Sequence, residues 1–253
     1  MFYGCEGLTD ASELKMPSKL GDYAFYYMFG ECINLKYIPI LPATNLSKYC
    51  YKFMFYRCTS LTSIPENMLP ATIVNYDCYY GMFKFCKGLT TIPENLLPAT
   101  ALGRYGQTEC YEDMFRGCTG LTSIPENLLP ATYLNDYCYC GMFGECTGLT
   151  TIPKNLLPSK NLSSSCYSAM FYGCTNLVNA PDLPATSIFS SCYSGMFSGC
   201  SKLNYVKALF TNTPGSSTSD WLKGVSSSGT FVKNAAATWN VVGTSGVPEG
   251  WTV

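Results

Sequence analysis

Residues 61–89 read LTSIPENMLPATIVNYDCYYGMFKFCKGL, and the phrase restarts as LTTIPENLLPAT at 89–100, LTSIPENLLPAT at 121–132 and LTTIPKNLLPSK at 149–160. Inside it lies Met-Phe with a Cys three residues after the Phe. That string occurs eight times, with Met at 1, 28, 54, 82, 114, 142, 170 and 196. Intervals of 26 to 32 residues mark a repeat architecture, because a unit that short cannot bury its own apolar face and must stack on its neighbours. The expectation is a solenoid: an elongated rod with one continuous core.

Within a unit, apolar residues fall at four-residue steps. Leu46, Cys50, Met54 and Cys58 do so, as do Val74, Cys78, Met82 and Cys86, then Leu134, Cys138, Met142 and Cys146, then Leu162, Cys166, Met170 and Cys174. On a helix of 3.6 residues per turn, four such positions make a stripe about 120° wide. The spacing therefore predicts a helix of about three turns per unit, with Gly117, Gly173 and Gly199 as left-handed stops. The next segment, such as Leu61-Thr62-Ser63-Ile64-Pro65, reads as one brief strand ended by Pro. One short strand and one helix per unit is the leucine-rich-repeat arrangement. The expected fold is thus an α/β solenoid, a right-handed superhelix of eight units over residues 1–206. The four extra residues within ALGRYGQTEC (101–110) should bulge outward as a loop.

The ends differ from the middle. The chain starts inside a unit, at Met-Phe itself, so an upstream domain or a partner is expected over that open end. Ala24 stands where later units have Cys. Residues 207–253 form the second expected domain: TNTPGSSTS (211–219) reads as a polar, flexible connector, and Trp221, Trp239 and Trp251 mark a capping module.

Composition excludes several functions. Charged residues are 13% and net charge is -1, with no basic face of the kind nucleic-acid binding needs. The chain has no His, which removes the commonest general base and the usual partner of Ser and Cys nucleophiles. No run of 18 apolar residues is present, so no transmembrane helix is expected. The basic and apolar regions of a signal peptide are also missing from the first residues. No cofactor is called for.

Fifteen cysteines follow the repeat. Cys5, Cys32, Cys58, Cys86, Cys118, Cys146, Cys174 and Cys200 follow Met-Phe; Cys50, Cys78, Cys110, Cys138, Cys166 and Cys192 precede it; only Cys140 is off-pattern. They read as a reduced core ladder, with inter-unit disulfides as the alternative. A metal site is disfavoured because no Cys-x-x-Cys pair occurs.

Candidate ligand-binding residues form two sets. Thr62-Ser63, Thr90-Thr91, Thr122-Ser123 and Thr150-Thr151 recur in the strand segment, either as a hydroxyl-lined face for glycan or protein or as solvated positions that favour extended backbone. Tyr56, Tyr80, Tyr105, Tyr133 and Tyr172 vary from unit to unit. They serve either recognition, which Tyr does at low entropic cost, or packing between units. Glu66, Glu94 and Glu126 share one register, with Lys154 in the fourth copy. A carboxylate pair for glycan hydrolysis could come from them, but the Pro-Glu-Asn context reads as a turn.

Phrases such as GDYAFYYMFGEC (21–32), MFRGCTGLTSIP (114–125) and MFYGCTNL (170–177) resemble the BspA-like leucine-rich repeats of bacterial surface proteins over roughly residues 1–206. The tail GTFVKNAAATWNVVGTSGVPEGWTV (229–253) is similar to the C-terminal ends of such proteins from anaerobic gut bacteria and their phages. The resemblance implies a secreted or surface-displayed, non-enzymatic adhesion module for a protein or glycan on host or neighbouring cells. A phage tail-fibre or receptor-recognition component of the virion is the alternative. The family carries no catalytic motif to transfer.

Overall fold

The computed structural model describes residues 1–102 and 108–253. The expected loop at 101–110 and Tyr105 fall on, or mostly on, residues outside that set. Among the described residues the regular elements are three strands, β1 (Tyr205–Ala208), β2 (Gly229–Lys233) and β3 (Trp251–Thr252), and one 3-10 helix at Ser216–Thr218. The helix expected in each unit is replaced by something else.

Each Met-Phe segment is a ribbon of linked tight turns. Every fourth residue takes a left-handed backbone: Tyr49, Phe53 and Arg57 at φ 59°, 56° and 57°, then Asp77, Gly81 and Phe85 at 48°, 56° and 62°. Alternate N–H groups bond locally, as Met54 to the Tyr51 carbonyl at 3.1 Å and Cys58 to the Phe55 carbonyl at 3.2 Å. The others donate to the next unit: Phe53 to Tyr80, Phe55 to Met82 and Arg57 to Lys84, each at 2.9 Å. A helix would use every N–H inside the segment. This ribbon gives half of them to its neighbour and so locks units together. Gly117, Gly173 and Gly199 are indeed left-handed, at φ 72°, 69° and 80°, but as ribbon corners and not as helix stops.

The four-residue repeat does not drift, so burial runs two in, two out. Cys50, Tyr51, Met54, Phe55 and Cys58 are buried, whereas Lys52, Phe53 and Tyr56 are half-buried and Arg57 is exposed. Inside the stack the Phe rings form an unbroken file from Phe2 to Phe197, at 5.4 to 5.7 Å between centroids. A parallel file runs Tyr51, Tyr79, Tyr111, Tyr139, Tyr167 and Tyr193 at 5.6 to 6.0 Å. Near-parallel offset rings at such spacing add to what area burial alone contributes.

The strand segments are weaker than expected. Leu61 and Ile64 are buried and Thr62 and Ser63 exposed, but neighbouring segments share little more than one backbone bond, Thr90 N–H to the Thr62 carbonyl at 3.1 Å. Pro65, Pro93, Pro125 and Pro153 then end each segment with no N–H to donate. Gly88 and Gly120 allow the close approach there, since a Cβ on either would run into a carbonyl of the preceding unit. Among the described residues, parallel strand pairing appears only at the C-terminal end, where Val206 faces Phe231 and Gly229 faces Trp251.

The ladder runs beyond residue 206. Tyr193, Gly195, Phe197 and Gly199 donate to the carbonyls of Ser217, Ser219, Trp221 and Lys223 at 2.7 to 2.9 Å, so Trp221-Leu222 takes the Met-Phe place of a further turn ribbon. Each Trp indole N–H bonds a backbone carbonyl about one coil away: Trp221 to Gly246 at 2.9 Å, Trp239 to Phe210 at 3.3 Å and Trp251 to Ser226 at 2.8 Å.

Candidate binding surface

The outward positions of the ribbons change character along the stack. The units of Met28, Met54 and Met82 carry aromatics there. Tyr23 stacks on Tyr49 at 4.5 Å and Tyr27 on Phe53 at 4.8 Å. Phe53 meets Tyr56 at 5.6 Å and Tyr80 at 5.1 Å edge-on, and Tyr56 meets Phe85 at 5.9 Å. Cations lie across them: Lys52 Nζ is 4.1 Å from the Tyr80 ring centre and the Arg57 guanidinium is 5.6 Å from that of Tyr56. Burial pushes the Tyr27 hydroxyl up to about 12, and raises that of Tyr80. Both remain protonated donors at neutral pH. In the last two units Ser164, Ser165, Ser168, Ser190, Ser191, Ser194 and Ser198 take most of the same positions, and Tyr172 is the aromatic left among them.

Two pairs in this patch are stacked and its other ring contacts are edge-on. Tyr23 and Arg57 are exposed, whereas Lys52 is turned to Asp77.

Between the two ends sits a charged cluster. Lys52 pairs with Asp77 and Lys84 with Asp113, both at 2.5 Å, and Arg116 bonds Glu145 at 2.5 Å. Burial first, then Glu109, Asp113 and Asp77, push the Glu112 carboxyl up to about 8.

Of the tyrosines singled out from sequence, the structure brings Tyr56 and Tyr80 together. Tyr172, 44% exposed, lies in the Tyr56 file but four units on, and Tyr133, 54% exposed, sits on the turn after LPAT beside Asn161 and Ala101. Sequence reasoning missed Tyr23, Tyr27, Tyr49, Phe53 and Phe85. Aligning the four-residue register between units would have put them on one face. The eight hydroxyl positions, Thr62, Ser63, Thr90, Thr91, Thr122, Ser123, Thr150 and Thr151, are all exposed. They stack in register, but Thr90 spends its hydroxyl on the Thr62 carbonyl at 3.2 Å.

Glu66, Glu94 and Glu126 are exposed on turns, as is Lys154. All fifteen cysteines are free and thirteen are buried. Those after Met-Phe from Cys32 to Cys200 donate their thiol to the Phe carbonyl of the preceding unit, as Cys86 to Phe55 at 3.0 Å and Cys118 to Phe83 at 3.1 Å. Burial pushes the Cys86 thiol up to about 12, which withholds the nucleophilic thiolate. Cys140, half-buried beside Glu112 and Asp113, is pushed up to about 12 by burial and then by those acids. Among the described residues no group of three or more Cys, Asp or Glu is placed to hold a metal, and no helix is long and apolar enough to cross a membrane.

A stack of short, self-similar units with Leu at the start of each strand segment defines a leucine-rich repeat protein. The family model of the BspA type leucine rich repeat region matches six copies over residues 1–140 and 108–213. The chain belongs to that family. Among solved structures, a leucine-rich repeat protein from Bacteroides ovatus ATCC 8483 is similar at 19% identity, over 94% of this chain and 67% of that one, with a TM-score of 0.42. No curated protein matches the chain.

Proposed function

We propose that the stack is a non-enzymatic binding module, displayed on a bacterial surface, that adheres to a protein ligand through the aromatic and cationic face of the Met28, Met54 and Met82 units. Membership of the BspA type family supports the surface and adhesion setting. The observation that carries the reading is the patch itself. Tyr23, Tyr27, Tyr49, Phe53, Tyr56 and Tyr80 are held rigidly by the ladder, with Lys52 and Arg57 laid over them. Tyr and Arg on a fixed frame are the residues that dominate protein–protein binding energy. Tyr rings with their hydroxyls beside an Arg guanidinium match the composition that distinguishes protein–protein interfaces, which favours a protein ligand.

An array of host matrix proteins, bacterial surface proteins and glycans, probed with the whole chain, tests this. Tyr23→Ala, Tyr49→Ala or Arg57→Ala should each weaken binding to the captured protein at least about tenfold, a loss of about 1.4 kcal/mol. Tyr133→Ala and Tyr172→Ala should leave it within about twofold. Equal losses at all five positions, or capture of glycans alone, would overturn the reading.

A further inference from the structure

A groove of about 670 Å³ runs across six units at the corner between the ribbon and the strand segment. One wall carries Glu31, Arg57, Phe85 and Glu145; the other carries Glu6, Ile33, Thr59 and Lys87. It borders the aromatic patch, because Arg57 and Phe85 both touch Tyr56.

Charge along this groove is ordered. The first two units contribute Glu6 and Glu31, the next two Arg57 and Lys87. Arg57 and Glu31 neutralise each other in part, at 3.4 Å. Glu145 is engaged by Arg116 at 2.5 Å. Glu6 and Lys87 are exposed and enter no ion pair among the described residues. The groove therefore presents one free acid and one free base, three units apart, with the Phe85 ring beside the base. Each unit step is 5.4 to 5.5 Å, so the two charges are separated by about 16 Å along the groove. An extended peptide covers that distance in about five residues at 3.3 Å each.

We infer that the groove takes an extended peptide bearing a basic side chain over Glu6 and Glu31 and an acidic side chain over Arg57 and Lys87, about five residues apart. This rests on the binding-module reading and names the chemistry of one ligand segment. Charge order sets the register of the bound chain, in the way that complementary patches fix partner and register elsewhere. A peptide with its two charges adjacent could satisfy only one end.

Fluorescence-anisotropy titrations of the whole chain at low salt decide it. The probes are labelled peptides with a lysine and an aspartate separated by four Gly/Ser residues, made in both chain directions. Controls are the same composition with the two charges adjacent, and a neutral oligosaccharide. At least one spaced peptide should bind about tenfold more tightly than the adjacent control, a preference worth about 1.4 kcal/mol. Lys87→Glu should abolish that preference, and Glu6→Lys should do the same from the other end. Both sites are exposed, so an unchanged melting curve establishes that each variant is folded. No binding, equal binding of spaced and adjacent peptides, a preference that survives Lys87→Glu, or displacement by the oligosaccharide would each overturn the inference. The array capture described above, repeated with Lys87→Glu, separates the two readings. If the aromatic patch still captures its protein while the peptides fail, only the groove assignment falls.

Discussion

The six buried tyrosines from Tyr51 to Tyr193 follow the first Cys of successive units, and three of them do so at an energetic penalty. Tyr51, Tyr111 and Tyr167 hold their hydroxyls in the core with no hydrogen-bond partner among the described residues. A buried hydroxyl left unpaired costs about 1–3 kcal/mol, whereas the stacked ring below it gains from its neighbours on both sides. Tyr111→Phe keeps the ring and removes the orphan group. It should leave stability unchanged or raise it by about 1 kcal/mol in denaturant unfolding, while Phe115→Ala in the adjoining file should cost about 3–5 kcal/mol. A loss above about 1 kcal/mol for Tyr111→Phe would show that its hydroxyl is bonded after all. The cysteines answer the same problem differently. A thiol is small and apolar enough for the core and still donates to the Phe carbonyl one unit back, which Ala or Val could not do.

At the scale of the element, the four-residue register was legible and its meaning was not. A helical face mixes steps of three and four; this pattern has only fours, with a second apolar file one residue along, Tyr51 and Phe55 beside Cys50 and Met54. Read that way, the sequence already excluded a drifting helix. Another sign was the composition of the corners. The left-handed positions hold Tyr, Phe, Arg, Glu, Asp, Asn, Ser, Ala and Gly, and among the described residues no Val, Ile or Thr, the types that conformation penalises most. The repeat, the buried Leu, Met and Phe positions and the exposed hydroxyl rows were readable because burial depends on register alone. Which Tyr residues meet was not, since that depends on how far apart successive units stack.

The ribbon makes a prediction opposite in sign to a helix. Ala169 sits at φ 52°, where an L side chain costs about 1–2 kcal/mol. Ala169→Gly should therefore stabilise by about 1 kcal/mol, as read from the unfolding midpoint, although the same change inside a helix destabilises by about that amount. Lowered stability would contradict the ribbon at that corner.

The charged cluster adds a pH dependence to the same element. The Glu112 carboxyl, raised to about 8 by burial and by Glu109, Asp113 and Asp77 against the pull of Lys52, favours the fold when protonated. Its contribution is fully present below about 4.5, the unfolded value. It is lost as pH rises through about 8. The melting temperature should thus fall between pH 6 and 9 in the native chain and fall less in Glu112→Gln. Parallel curves for the two proteins would place the pH dependence elsewhere.

The whole molecule is one ladder with polarity. N–H groups of each unit point to the carbonyls of the next, from Phe2 to Met28 at 2.9 Å through to Gly199 and Lys223 at 2.7 Å. Removing residues 211–253 would leave the donors of Tyr193, Gly195, Phe197 and Gly199 without acceptors and uncover the Phe197 ring. We expect such a chain to aggregate or to unfold at a lower denaturant midpoint in gel filtration and chemical unfolding. A monomer of unchanged midpoint would mean that the Trp-bearing coils do not close the stack. Both proposed ligand surfaces depend on the ladder, because it alone sets the unit spacing that brings Tyr23 onto Tyr49 and holds Glu6 three steps from Lys87.

The direct test of that ladder is scalar coupling across hydrogen bonds, measured by NMR on deuterated, isotope-labelled protein. The turn ribbon predicts couplings from the amide nitrogen of Phe55 to the carbonyl carbon of Met82 and from Phe83 to Met114, with Met54 and Met82 coupled locally to Tyr51 and Tyr79. Couplings from each amide to the carbonyl four residues earlier, Phe55 to Tyr51 and Phe83 to Tyr79, would show helices in place of ribbons and contradict the account.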